Sequence, residues 1–434
     1  MVVAINNLTV QQTRAGLACT GRDQNKPDLT INNFFLIMVS DSKYAGVRFN
    51  ELRGQAELHS NANGKLKIQS WTDAHEAESM RYIEENYGLY SKERHTAALR
   101  MLFAERTYNP LRDIVDSVKW DGEERCKHYL TKWGKCANTP YVREVSRLIF
   151  AGGIHRLYEP GRKFEDVPIL IGVQGCGKST LIRYLAVNDD YFGELKVMEG
   201  QQAIEDLQGK WVMEIPEMSA FTKAKDQEAI KAFVSRQRDS YRKPYDRNVS
   251  ELPRRCFFVA TSNDRNPLVD KTGNRRWYPV ECPGNRAYGY ELYRREDEIR
   301  EYILQCWAEA KAKMDTPEMA PFASSLLLEA YTEAQENAMQ DDWRVGAIKD
   351  FLDRKKPGEL TCVREVCHRA LSPNPDFPKD PSLVESKDVG KILDRMTGWE
   401  RMNGSRKVGV YGTQRCWKKT EESETEDKPF WEDE

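Results

Sequence analysis

Short apolar runs alternate with helical stretches through the middle of the chain. The runs lie in VPILI (167–171), KWVMEIPEM (210–218) and CFFVATSN (256–263), and stretches of helical periodicity separate them. Parallel strands that are buried on both faces have continuous apolar sequences, and crossover helices join them. The alternation therefore predicts an α/β fold with a parallel sheet over 166–283.

The two flanks have different patterns. The amino-terminal flank mixes strand-like and helical stretches, and its FFLIMV run (34–39) suits a buried strand. The carboxy-terminal flank has three groups of apolar residues at helical spacing, and then Asn403-Gly404, a dipeptide typical of hairpin turns. Three helices and a hairpin predict a winged-helix-like module, and a plain helical cap is the alternative.

These patterns divide the chain into four predicted parts. They are an accessory domain (1–112), a P-loop ATPase domain with a helical lead-in (113–335), the winged-helix-like module (336–419) and an acidic tail (420–434). The tail holds eight acidic residues and one lysine, a composition typical of a disordered segment.

The amino-acid composition is typical of a soluble intracellular protein and limits the classes of protein that fit the sequence. Of the 434 residues, 40% are hydrophobic and 31% are charged, as in soluble globular proteins. No apolar run approaches the 18 residues of a membrane span, and the amino terminus lacks a secretory signal pattern. The ten cysteines form no C-x-x-C pair, so we expect reduced thiols and a cytoplasmic location. Because the net charge is -2, any DNA binding would depend on local basic patches.

The sequence GVQGCGKS (172–179) matches the phosphate-binding pattern G-x-x-x-x-G-K-[ST]. It follows an apolar run and precedes TLIRYLA (180–186), which favours a helix. In such loops glycines let backbone N–H groups face the phosphates, a lysine adds a positive charge, and a hydroxyl ligates Mg²⁺. The motif predicts an ATP and Mg²⁺ site formed by Gly172, Gly175, Cys176, Gly177, Lys178, Ser179 and Thr180.

Polar residues follow the next two apolar runs. Glu214 and Glu217 come after the second run, and Asn263 ends the third. Beside a phosphate loop, one carboxylate holds magnesium and another orients or deprotonates the attacking water. We expect Glu214 to contribute to the metal site, and the sequence leaves open which glutamate is the catalytic base. Asn263 is expected to contact the γ-phosphate or to position the water.

Two adjacent arginines, Arg275 and Arg276, follow a Gly-Asn pair. An arginine that reaches across a subunit interface stabilises the charge of the transition state for phosphoryl transfer. Two solvated arginines would be the ordinary interpretation of this pair. We predict a catalytic role for one of them.

Two basic segments suit contacts with nucleic acid. Residues 236–255 carry seven basic and three acidic side chains, and tyrosines are interleaved with Arg242, Lys243 and Arg247. Basic groups contact phosphates and aromatic faces stack on bases. Residues 401–419 hold six basic residues and no acid, and Arg406 and Lys407 are the predicted DNA contacts there. A solvated loop is the alternative for each segment.

Six separated segments carry a family resemblance. They are YNPLRDIVDSVKWDGEERC (108–126), the stretch 141–181, KWVMEIPEM (210–218), IKAFVSRQRDSYRKPYDR (230–247), LPRRCFFVATSN (252–263) and DKTGNRRWYPV (270–280). In this order they resemble the virulence-associated protein E family, which phages and mobile elements encode and which is related to superfamily 3 helicases of the AAA+ class. The split acids, E-I-P-E, depart from the adjacent pair that is usual in the family.

The resemblance implies a hexameric ring, with ATP bound between subunits and a basic hairpin that projects into a pore holding DNA. It implies roles for these positions: Walker A for Lys178 and Ser179, Walker B for Glu214 and Glu217, first sensor for Asn263, arginine finger for Arg275 and Arg276, and hairpin for Arg242, Lys243 and Arg247.

We therefore expect an ATP-dependent DNA helicase or replication protein of a phage or mobile element, acting in the cytoplasm of a bacterial host. A replication initiator or loader, whose ATPase drives assembly without processive unwinding, is one alternative. A P-loop enzyme acting on a small molecule, such as a kinase, is the other.

Overall fold

The computed structural model describes residues 7–21, 26–62, 64–198, 200–218, 224–241, 250–268, 274–339, 343–372, 379–394 and 396–420. By its internal contacts the chain divides into two compact units, Met1–Met339 and Gln340–Glu434. Among the described residues, no helix combines the length and the apolar character needed to cross a membrane.

The described helices are α1 (Val10–Ala15), α2 (Ile31–Ser40), α3 (Asp73–Tyr87), α4 (Lys92–Glu105), α5 (Pro110–Ser117), α6 (Tyr129–Trp133), α7 (Pro140–Tyr158), α8 (Lys178–Leu185), α9 (Gly200–Glu205), α10 (Ala224–Val234), α11 (Arg286–Arg294), α12 (Glu296–Ala312), α13 (Leu328–Asn337), α14 (Trp343–Asp353), α15 (Val363–Arg369) and α16 (Leu383–Leu393). The described strands are β1 (Val47–Asn50), β2 (Gln55–Ala62), β3 (Lys65–Ser70), β4 (Thr107–Tyr108), β5 (Val167–Ile171), β6 (Phe192–Glu194), β7 (Val212–Ile215), β8 (Arg238–Tyr241), β9 (Ser250–Pro253), β10 (Phe257–Ser262), β11 (Trp277–Glu281), β12 (Leu360–Cys362), β13 (Trp399–Lys407) and β14 (Thr413–Lys419).

A five-stranded sheet forms the centre of the first unit, in the order β11-β5-β10-β7-β6. Each neighbouring pair is parallel. Alternate residues enter different hydrophobic cores: Ile169 and Met213 lie in one, whereas Leu170 and Val212 lie in the other. The predicted α/β fold with a parallel sheet is therefore confirmed for this part of the chain. Because β5, β7 and β10 run in the same direction, the residues that follow them meet at one edge.

The amino-terminal part has a separate sheet, in the order β3-β2-β1-β4, against which helices pack. The strand predicted for 34–39 is wrong, because these residues belong to α2. The Thr30 side chain accepts a hydrogen bond from the Asn33 backbone and caps this helix, and Phe34, Ile37 and Met38 are buried at helical spacing. A short apolar run cannot distinguish a buried strand from a buried helix by periodicity alone.

The second unit contains α14, α15 and α16 and a three-stranded antiparallel sheet, in the order β12-β14-β13. The turn predicted at Asn403-Gly404 is wrong. Both residues lie inside β13, where the pairing register shifts between Arg401 and Ser405 and where Gly404 has a φ of 78°. A glycine at positive φ suits a bulge as well as a turn. The strands reverse direction further on, where the Val408 backbone N–H bonds to the Gly412 carbonyl.

Candidate phosphate-binding site

The loop between β5 and α8 has the backbone geometry of a phosphate cradle. Gly175 and Gly177 have φ values of 82° and 98°, a left-handed conformation that residues with a Cβ rarely adopt. Lys178 is the first residue of α8, so the loop leads directly into a helix N-terminus. Free N–H groups and the positive end of the helix dipole favour an anion at this place.

Lys178 points its ammonium group back into the loop. Its Nζ donates to the carbonyl oxygens of Gly172 (2.7 Å) and Val173 (3.1 Å) and to Oδ1 of Asn263 (2.9 Å). The side chain is buried, although it lines the cavity in front of the loop. The predicted lysine and the predicted sensor asparagine are therefore in direct contact where the chain leaves the carboxyl ends of β5 and β10.

Glu214 is the third of the four residues of β7 and is almost completely buried. Its Oε1 accepts hydrogen bonds from the hydroxyls of Ser179 (2.7 Å) and Thr261 (2.8 Å). Burial raises the pKa of Glu214, and the two hydrogen bonds oppose that shift. Its Oε2 is buried and has no hydrogen-bond partner among the residues that the structure describes.

This donor set fits a hard divalent cation. Ser179 and Glu214 supply a hydroxyl and a carboxylate oxygen, which are the ligands that Mg²⁺ prefers, and the unpartnered Oε2 leaves one carboxylate oxygen available. Metal binding requires the deprotonated carboxylate. Because burial raises the pKa of Glu214, protons compete for this group at a higher pH than for an exposed glutamate.

Glu217 differs from Glu214 in its surroundings. It is exposed, lines the cavity and accepts a hydrogen bond from Nδ2 of Asn263. Its backbone has a φ of 49°, in the left-handed region, which costs about 1–2 kcal/mol for a residue that carries a Cβ. Strain of this kind clusters at functional sites. The strained turn after β7 places Glu217 next to Asn263, which also accepts a hydrogen bond from Lys178.

A cavity of about 400 Å³ lies in front of the loop and is lined by Lys178, Ser179, Glu217 and Asn263, among others. Some residues of its lining were predicted from the sequence, and several were not. The full lining is Gln174, Gly175, Gly177, Lys178, Ser179, Thr180, Glu217, Thr261, Asn263, Arg286, Gly289, Tyr290 and Tyr293. The last four belong to α11, and no phosphate-binding motif includes them. A glycine within a helical stretch, Gly289, was the available signal of a close approach between backbones.

Cys176 lies beneath the loop and does not line the cavity. Its side chain is buried, and burial raises the pKa of its thiol. A Cβ on Gly172 would lie 3.1 Å from the Cys176 sulfur, so the thiol fills the space under the loop. Cys176 thus contributes to the packing of the loop, whereas Thr180 contributes directly to the cavity wall.

The two arginines differ in their contacts and lie away from the cavity. Arg276 Nε donates to Oε2 of Glu165 (3.1 Å) and to the hydroxyl of Ser235 (2.9 Å), and 17% of its side chain is exposed. Arg275 has 74% of its side chain exposed and a long contact of 3.8 Å with Glu165. Both precede β11, whose first residue, Trp277, pairs with the first residue of β5. They therefore lie at the edge of the sheet opposite the phosphate loop.

The basic segments are only partly described. Arg242, Lys243 and Arg247 lie outside the described residues. The flanking strands β8 and β9 form an antiparallel pair. In the second unit Arg406 and Lys407 are exposed on β13, and neither makes an ion pair with any residue within the described ranges.

The fold and the site define an α/β protein with a phosphate-loop geometry at the carboxyl edge of a parallel sheet. The model of the virulence-associated protein E-like domain matches residues 115–344, which is more than half of the chain. The protein therefore belongs to the virulence-associated protein E-like family. A comparison with curated proteins finds no significant match.

The comparison with solved structures matches, among others, two apo structures of the NrS-1 C-terminal region. One is 13% identical, covers 86% of this chain and 96% of that chain, and has a TM-score of 0.45. The other is 16% identical, covers 71% of this chain and 76% of that chain, and has a TM-score of 0.43. Because these sequence identities and TM-scores are low, the family assignment depends only on the match of the family model to residues 115–344.

Proposed function

We propose that this protein is an ATP-dependent DNA helicase that acts in the replication of a phage or another mobile element. The observation that carries the proposal is the convergence of two networks on one cavity. One joins Ser179 and Thr261 to Glu214, and the other joins Lys178 to Asn263 and Glu217. Family membership supports the setting in mobile-element replication.

Each residue of the site has a separate role in the proposed hydrolysis. The N–H groups of the loop and Lys178 bind the phosphates. Ser179 and Glu214 would hold Mg²⁺, which would supply positive charge to the phosphate oxygens. Glu217 is the base: it is exposed to the cavity, and the proton of the attacking water passes to its carboxylate. Asn263 contacts both Lys178 and Glu217, so it links phosphate binding to the position of the base.

Glu217→Gln should retain ATP binding and lose turnover, because the amide keeps the size of the side chain but cannot accept a proton. We expect hydrolysis to fall about 10²-fold or more. Glu214→Gln should instead weaken Mg²⁺ binding and raise the Mg²⁺ concentration needed for half-maximal hydrolysis, since it removes the carboxylate next to Ser179. ATP affinity and steady-state hydrolysis across Mg²⁺ concentrations measure both effects. Normal turnover in Glu217→Gln would place the base elsewhere.

We further propose that DNA contacts come from the segment between β8 and β9 and from β13. Arg242, Lys243 and Arg247 belong to the first segment, which we place in the pore of a hexameric ring. Arg406 and Lys407 belong to the second, and their exposure without ion-pair partners in the described part of the second unit suits contacts with phosphates.

The purified protein should unwind a forked DNA duplex when ATP and Mg²⁺ are present, and DNA should stimulate its ATPase. Strand separation, measured with a labelled fork, and ATPase rates with and without DNA test the proposal. Rings seen in particle images only with ATP, together with hydrolysis but no strand separation, would instead support an initiator or loader. Absence of DNA stimulation would contradict both assignments.

A further inference from the structure

Helix α11 lies directly against the phosphate loop. A Cβ on Gly289 would lie 2.0 Å from the Gly175 carbonyl oxygen, and a Cβ on Gly177 would lie 2.4 Å from Cδ1 of Leu292. Because the Gly175 oxygen belongs to the backbone and cannot move aside, glycine is required at position 289. At position 177 the end of the Leu292 side chain could shift, and the φ of 98° is the feature that favours glycine. On its buried face the helix is held by Leu292 and by Tyr288, whose hydroxyl donates to the Trp133 carbonyl (2.8 Å). The orientation of α11 relative to the loop is therefore fixed by packing.

The opposite face of α11 presents two tyrosines and an arginine to the cavity. Tyr290 and Tyr293 are 58% and 56% exposed, and both line the cavity together with Arg286. Residues three apart on a helix lie on the same side. Within the part of the chain that the structure describes, neither tyrosine hydroxyl has a hydrogen-bond partner and Arg286 has no ion pair. The polar groups of these three side chains therefore contribute little to the stability of the fold.

The chemistry of this face suits the part of a nucleotide that lies beyond its phosphates. Exposed aromatic rings stack on nucleobases, and stacking tolerates different bases because every base has a π-face. The stem of Arg286 lies against the loop, since a Cβ on Gly175 would be 3.3 Å from Cγ of Arg286. A guanidinium on that stem is a donor for anionic oxygens near the loop.

We infer that α11 forms the base-binding side of the nucleotide site, with Tyr290 and Tyr293 as the stacking surface for a nucleobase and Arg286 as an additional phosphate contact. This inference deepens the proposed function and rests on it. It assigns nucleoside recognition to the same chain that binds the phosphates, whereas the arginine finger implied by the family resemblance would come from a neighbouring chain. It also predicts that the base contributes to affinity through stacking.

The test compares ATP with inorganic triphosphate, which has the phosphates but no base. Isothermal titration of the full chain in Mg²⁺ should show that Tyr290→Ala together with Tyr293→Ala lowers ATP affinity about 5- to 150-fold, the range for loss of base stacking. Inorganic triphosphate should bind the same variant within about twofold of the unsubstituted protein, since nothing stacks on it. The corresponding Phe substitutions should keep ATP affinity, because the ring remains. Tyr90→Ala, which removes a tyrosine that is 62% exposed and outside the cavity, is the matched control.

The outcomes separate this inference from the proposed function. Unchanged ATP affinity in the double tyrosine variant would overturn the base-binding assignment and leave the phosphate site in place. Equal losses for ATP and for inorganic triphosphate would show that the tyrosines support the loop instead, and would also overturn it. Loss of subunit assembly with unchanged affinity would assign the tyrosines to an interface between chains. Failure of the unsubstituted protein to bind either ligand would remove the proposed function and the inference together.

Discussion

Lys178→Ala should abolish ATP hydrolysis and leave the protein folded. The ammonium group is the positive charge at the centre of the loop, where it contacts two loop carbonyls and Asn263. Loss of one such electrostatic contact to a reacting group lowers turnover about 10²- to 10³-fold. The side chain borders the cavity and belongs to neither hydrophobic core of the sheet, so its removal should affect stability little.

ATPase rate, ATP affinity and the melting temperature measure this effect together. Lys196→Ala removes an exposed lysine outside the cavity and should leave all three unchanged. Full ATPase activity in Lys178→Ala would refute the nucleotide assignment. A large fall in the melting temperature would show instead that the lysine supports the loop by its contacts with the carbonyls.

The position of the phosphate loop could be predicted from sequence because its chemistry is local. A strand, three glycines, a lysine and a serine all lie within residues 167–179, and their spacing predicts the backbone shape of the loop. The roles of the two glutamates could not be predicted in this way. Glu214 and Glu217 are three residues apart, and only the fold shows that one is buried beside Ser179 while the other is exposed beside Asn263.

The contribution of α11 could not be predicted for a different reason. Tyr290 and Tyr293 lie more than 100 residues after the loop, and the contact depends on tertiary packing between Gly289 and Gly175. The wrong predictions at 34–39 and at Asn403-Gly404 have a similar origin. In both cases a short pattern is compatible with two local structures, and long-range packing or strand pairing decides between them.

Arg275→Ala should lower ATP hydrolysis about 10³-fold or more and keep nucleotide affinity. Arg275 precedes Trp277, the first residue of β11, which pairs with Val167, the first residue of β5. The phosphate loop follows the last residue of β5, at the other end of the strand, so Arg275 cannot reach the loop of its own chain. The four residue steps of β5 separate the two edges by about 13 Å. Its exposed side chain would be available to a neighbouring subunit of the proposed ring, and an arginine acting there stabilises charge that develops only in the transition state.

Arg276→Ala is the matched comparison, since it removes the adjacent arginine, which Glu165 and Ser235 hold within its own subunit. It should lower the free energy of unfolding by about 1 kcal/mol, the usual effect of losing a partly buried hydrogen-bonded pair, and leave turnover of the folded protein near normal. Hydrolysis and chemical unfolding of the two variants distinguish these effects. A catalytic loss in Arg276→Ala with normal turnover in Arg275→Ala would reverse the assignment.

Mixing the Arg275→Ala and Lys178→Ala proteins tests whether the arginine acts between chains. In the proposed ring each variant alone would have every interface damaged, because each lacks either the loop lysine or the arginine. In a mixed ring some interfaces combine an intact loop from one chain with an intact arginine from its neighbour. ATPase activity should therefore rise above that of either variant, with a maximum at intermediate mixing ratios. Activity that never exceeds the sum of the separate proteins, in rings shown to exchange subunits, would place the arginine's action within a single chain and contradict an active site shared between subunits.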